Sequence, residues 1–80
     1  MTDQTETVIS KGSPVRYVLF EVTLTTSDTV TIGDLSTIQD CALFNLADGL
    51  EDTATISGNI ITLTQTGITN GKYVGIAVGT

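Results

Sequence analysis

Eighty residues carry nine acidic groups against three basic ones, a net charge of −6, with one Cys, one Pro, eight Gly and neither His nor Trp. A chain this short makes one domain at most, and with only Lys11, Arg16 and Lys72 positive it offers no basic patch to phosphates or anionic headgroups, which argues against nucleic acid and membranes as partners. Without His it lacks the side chain that most often transfers protons near neutral pH and the commonest nitrogen ligand for zinc, so acid–base, serine-triad and zinc chemistry are not expected.

Residues 1–7 are polar and acidic and read as a flexible N-terminal arm that a neighbouring subunit could order, ahead of a single β domain over residues 8–80. No apolar run there resembles a signal peptide. Val8 to Ser10 predicts a short strand, closed by the turn-forming run Lys11-Gly12-Ser13-Pro14. Val15 to Thr25 is the longest strand candidate. Val18, Phe20, Val22 and Leu24 fall on one face as core. The other face is apolar at Val15, Tyr17 and Leu19 and polar from Glu21 onward, so its first half should be covered by a second sheet or another subunit.

Thr26-Ser27-Asp28 supplies a turn, and Thr29 to Ile32 is expected to return antiparallel to the strand before it. After a connection over residues 33–38, Cys41 to Leu46 reads as a strand with Ala42, Phe44 and Leu46 on one face; a short helix over Thr37 to Leu46 is the rival reading. An acidic loop follows. Thr53 to Ser57 and Ile60 to Thr64 then flank Gly58-Asn59, a two-residue hairpin loop. Closure there sets Ile56 opposite Ile61 and Ala54 opposite Leu63, with Thr55 opposite Thr62 and Thr53 opposite Thr64. One face is apolar and the other threonine, so a slip of one residue would mix the two. Asn70-Gly71 is a second hairpin signal, leading into Lys72 to Val78 with Val74, Ile76 and Val78 on one face. Tight closure sets Ile76 against Gln65, a poor match that a longer loop or a bulge near Gly67 would relieve. On the reverse face Gly75 and Ala77 are small and, with Tyr73, form a flat surface open to a close neighbour.

The sum is an all-β fold, a small antiparallel β-sandwich or barrel of about six or seven short strands. The sixteen threonines spread along the chain fit that class, since β-branched residues suit pleated strands. A domain of this size has little margin from its own core, and the lone Cys41 cannot close an internal disulfide. Association with other chains is therefore expected, through a candidate interaction surface of Val15, Tyr17, Leu19, Tyr73, Gly75 and Ala77.

Candidate chemistry is thin. Asp48, Glu51 and Asp52 could offer oxygens to calcium, but without the alternating acidic pattern around a central Gly they read as a solvated turn. Asp28, Asp34 and Asp40 read as turn or cap residues. Cys41 has no nearby base to activate it and reads as a small buried hydrophobe. No catalytic residue, metal site or cofactor is expected. A carbohydrate-binding or adhesin-like module is the alternative, with Tyr17 and Tyr73 as its stacking aromatics; a peptide-binding regulatory domain would need an unpaired edge strand that the sequence does not mark.

The run Leu35-Ser36-Thr37-Ile38, the step into Asn45-Leu46-Ala47-Asp48-Gly49, the hairpin from Thr55 to Thr64 and the ending Tyr73-Val74-Gly75-Ile76-Ala77-Val78-Gly79 resemble small virion structural proteins of tailed bacteriophages and archaeal tailed viruses. These include head decoration, or cement, proteins. The resemblance spans roughly residues 15–79 and lies in strand and turn texture. It implies a non-enzymatic protein on the outer capsid surface, bound to the major capsid protein or another virion protein, acting as a homo-oligomer with a trimer favoured, and bracing neighbouring capsomers.

Overall fold

The computed structural model describes residues 2–12, 14 and 16–80. Among them there is no helix; the chain forms two β-sheets packed face to face as a small sandwich. The strands are β1 (Asp3–Gln4), β2 (Thr7–Lys11), β3 (Tyr17–Leu24), β4 (Thr29–Thr31), β5 (Ile38–Asn45), β6 (Glu51–Asp52), β7 (Ala54–Ser57), β8 (Ile60–Leu63) and β9 (Gly71–Gly79). One sheet has the order β1-β4-β8-β7, the other β2-β3-β9-β5-β6, and every pairing is antiparallel except β1 with β4.

The core is what the alternation on β3 dictates. Val18, Phe20, Val22 and Leu24 all point inward and are buried, meeting Val30 and Ile32 from the β4 segment and Ile61 and Leu63 from β8. The β7–β8 hairpin has the register read from the sequence: Ala54 opposite Leu63, Thr55 opposite Thr62, Ile56 opposite Ile61. Gly58 takes φ +60°, the value that the first position of a type II′ turn requires and that glycine adopts without strain. On the outer side of this sheet Thr29, Thr62 and Thr55 form a cross-strand row, and Thr64 Oγ1 donates to Thr53 Oγ1 at 3.1 Å.

The segment read as strand or helix is strand, β5, which begins earlier at Ile38 and ends at Asn45, with Leu46 in the turn beyond; Leu43 and Asn45 point inward and Ala42 and Phe44 outward. Val15 lies outside the described residues, as does Ser13 of the predicted turn.

Three sequence expectations are corrected. The β4 strand does not return beside β3; it crosses to the other sheet and pairs with β8 and β1. Alternating residues reveal which face is buried and not which strand lies alongside, and here the inward residues of β4 face those of β3 across the core. Nor does Asn70-Gly71 close a hairpin on β8. The chain crosses sheets at that point, and β9 slots between β3 and β5, so the mismatch of Ile76 with Gln65 never arises.

The two crossings are stitched to each other. Thr26 N–H donates to the Ile68 carbonyl at 3.0 Å, Thr26 Oγ1 donates to the Gln65 carbonyl at 2.7 Å, and Ile68 N–H donates back to Thr26 Oγ1 at 2.9 Å. Asp28, buried at the same corner, accepts from the Thr25 and Thr2 backbone N–H groups and from the Gln4 amide. These bonds, with Asp3 accepting from the Thr29 hydroxyl at 2.8 Å, hold residues 2–4 of the N-terminal segment on the chain's own four-stranded sheet.

The third correction concerns β9. Tyr73, Gly75, Ala77 and Gly79 face the core, while Val74, Ile76 and Val78 face out. Gly75 is small because Phe20 and Leu43 cross directly over it: a Cβ there would come within 2.7 Å of Phe20 Cε2 and 2.9 Å of Leu43 Cδ2. The small residues are thus a seat for bulky core neighbours, not an outer surface.

Candidate functional site

The inversion of β9 builds a surface that no single strand announces. On the outside of the five-stranded sheet the registers line up rows across β3, β9 and β5: Tyr17 with Val78 and Asp40, Leu19 with Ile76 and Ala42, Glu21 with Val74 and Phe44. Seven of these nine side chains are apolar. Tyr17 is 37% exposed and Phe44 and Val78 are each 42% exposed, while Leu19, Ala42, Val74 and Ile76 are half-buried among them. Isolated apolar residues on a surface need no explanation, but a contiguous patch on a sheet face is a candidate interaction site. Glu21, Asp40 and, one row further along β9, Lys72 frame it with charge.

Of the sequence-predicted interaction residues, Tyr17 and Leu19 lie on this face. Tyr73, Gly75 and Ala77 lie on the opposite side of the same sheet, in the core, and cannot touch a partner. What sequence reasoning missed is Val74, Ile76 and Val78, together with Ala42 and Phe44. Strict alternation placed each trio on one face correctly; larger residues were assigned inward on β9, whereas Phe20 and Leu43 already fill that space.

Tyr73 is the largest fully buried side chain, and its hydroxyl donates to Asp52 Oδ2 at 2.5 Å while Asn45 Nδ2 donates to the same oxygen at 3.2 Å. Burial first, and the Asp52 carboxylate second, raise the Tyr73 pKa well above the ordinary phenol range. This pair ties β9 to β6 and β5 in the interior, so Tyr73 is not available to stack on a sugar, and only Tyr17 of the two tyrosines remains exposed.

Two hollows lie beside ionisable side chains. One, of about 420 Å³, is lined by Gln4, Thr5, Thr7, Glu21, Val22, Thr23, Lys72 and Tyr73. Its charged side chains are Glu21 and Lys72, from strands β3 and β9. The other, of about 380 Å³, holds Cys41 beside Glu51, Asp52 and Thr53. Burial, then the charges of Asp40 and Glu51, push the Cys41 thiol up, away from the reactive thiolate. In the acidic loop Asp48 accepts from Leu50 N–H at 2.9 Å and Asp52 is engaged by Tyr73 and Asn45. Among the described residues no three acidic or cysteine side chains converge as a metal site would require.

No family model matches the chain, and neither a curated protein nor a solved structure matches it significantly.

Proposed function

We propose that this protein is a non-enzymatic structural component of a tailed-virus particle, a head decoration or cement protein that sits on the outer capsid surface and braces capsomer contacts. The observation that carries the proposal is the unpartnered apolar face of the five-stranded sheet, from Tyr17 and Leu19 across Val74, Ile76 and Val78 to Ala42 and Phe44. A chain that works through such a face works by contact with protein, since apolar area removed from water is what drives association. The resemblance in strand and turn texture to small virion proteins supplies the setting, and the acidic charge of −6 keeps the free protein soluble until it meets its shell.

The test is co-sedimentation with empty capsids assembled from the major capsid protein encoded beside this chain. Saturable binding, with a rise in the melting temperature of the shells, is the expected result. Absence of binding to the shell, or a genomic neighbourhood without capsid, portal or terminase genes, would overturn it.

A further inference from the structure

We infer that the outer edge of β4, with Asp28 at its head, is a docking site for the segment Thr2-Asp3-Gln4, filled here by the chain's own β1, and that two copies of the protein fill each other's sites by exchanging that segment. The site belongs to the four-stranded sheet, apart from the apolar face described above.

The occupant is known because it is seated. Thr2 donates its backbone N–H to Asp28 Oδ1 at 3.1 Å, and its carbonyl accepts from Thr29 N–H at 2.9 Å. Asp3 Oδ1 accepts from the hydroxyls of Thr29 and Thr31 at 2.8 and 3.4 Å, and the Gln4 amide donates to Asp28 Oδ2 at 3.0 Å. Backbone and side chains are read together, the way a sheet edge takes on an added strand. Asp28 is buried, and withdrawal of β1 strips it of two of its three donors, leaving only the Thr25 N–H. An emptied site therefore carries the cost of a buried acceptor left short of partners. The same three residues of a second copy cancel that cost in full.

The tether is poorer than the docking. Thr5 and Glu6 alone join β1, on the four-stranded sheet, to β2, on the five-stranded one. Glu6 is half-buried at this crossing, and one of its carboxylate oxygens is buried without a hydrogen-bond partner among the described residues. The charges of Asp34 and Asp3 act on it unfavourably, adding to the effect of burial. Exchange keeps every bond of the docked segment and changes only the tether, which then runs from copy to copy with Glu6 drawn out into water. Short connections under load are where identical elements swap between copies, because the tether is what separates the two forms in energy. Reciprocal exchange between two copies closes on itself as a pair.

The experiment is sedimentation equilibrium on the full chain from micromolar to millimolar concentration, paired with cross-linking. A monomer–dimer equilibrium is expected. Glu6→Gln, which eases the tether of the unexchanged monomer, weakens the dimer at least about fivefold at pH 7, the scale of one buried group relieved of its missing partner. For the position of the segment, Asp3→Cys and Thr29→Cys are placed on separate chains of different isotopic mass, both in a Cys41→Ser background, and mixed at millimolar concentration. Oxidation should yield covalent dimers of mixed mass, since Asp3 and Thr29 are register partners whose side chains touch. Asp3→Cys mixed with Thr55→Cys, on the far strand of the same sheet, should not couple. A wild-type protein that stays monomeric throughout overturns the inference. So does a dimer that Glu6→Gln leaves unchanged, or one in which Asp3→Cys couples to Thr29→Cys no better than to Thr55→Cys.

Discussion

Gly75 decides which way β9 faces. The Phe20 ring and the Leu43 side chain occupy the space a side chain at that position would take, so Gly75→Ala should cost about 1–3 kcal/mol through overpacking. Gly33→Ala, where nothing lies within 4 Å, should change stability by no more than about 0.5 kcal/mol. Urea unfolding of the two variants checks the contrast. Two carboxyl groups carry opposite pH dependence. Asp28 is held below its usual value of 3.8, chiefly by the Thr25 backbone N–H, with the Gln4 amide and the Thr2 N–H outweighing the opposing effect of burial. Its contribution is present above pH 3.8 and lost as pH falls through the folded-state value. Glu6 is raised above 4.5, first by burial and then by the charge of Asp34, and one of its carboxylate oxygens lacks a hydrogen-bond partner. Its contribution is full below pH 4.5 and lost as pH rises through the folded-state value. At neutral pH, Asp28→Asn should therefore lower stability and Glu6→Gln raise it, with both differences shrinking in acid. Unfolding curves at pH 7 and pH 3 would check the signs.

Among the elements, the β7–β8 hairpin is the one whose structure follows most directly from local sequence. A two-residue Gly-Asn loop sets the register, and the two faces it creates are chemically distinct. Ile61 is fully buried, so Ile61→Asp places a charge in the core and should abolish folding, since such a burial consumes a large part of a margin of about 5–15 kcal/mol. Thr62→Asp, on the threonine side, should leave the circular dichroism spectrum and cooperative unfolding intact. Equal damage from both would mean the face assignment is wrong. β3 and β5 were legible in the same way, as alternating runs with an obvious core face on β3. The crossings were not. Thr26-Ser27-Asp28 and Asn70-Gly71 are turn signals of the ordinary kind, and Ser27 and Asn70 do take positive φ. Yet each turn carries the chain to the opposite sheet, held there by the reciprocal bonds of Thr26 with Gln65 and Ile68. A turn residue specifies a local reversal; which strand the chain meets afterwards depends on partners 39 and 42 residues away.

For the whole molecule, the consequence is one buried core and one apolar face left outside it. The sequence alone determined the all-β class, the inward set Val18, Phe20, Val22 and Leu24 and the hairpin register, because each rests on side chains of neighbouring positions along one strand. It also placed Tyr17 and Leu19 on the side of β3 opposite the core. Only the tertiary structure decided that Tyr73, Gly75 and Ala77 turn inward and that Val74, Ile76 and Val78 complete the outer face with Ala42 and Phe44. The choice between two faces of one strand is made by whatever volume its neighbours have already filled, and that volume belongs to Phe20 and Leu43 on the two strands flanking β9, more than thirty positions away along the chain.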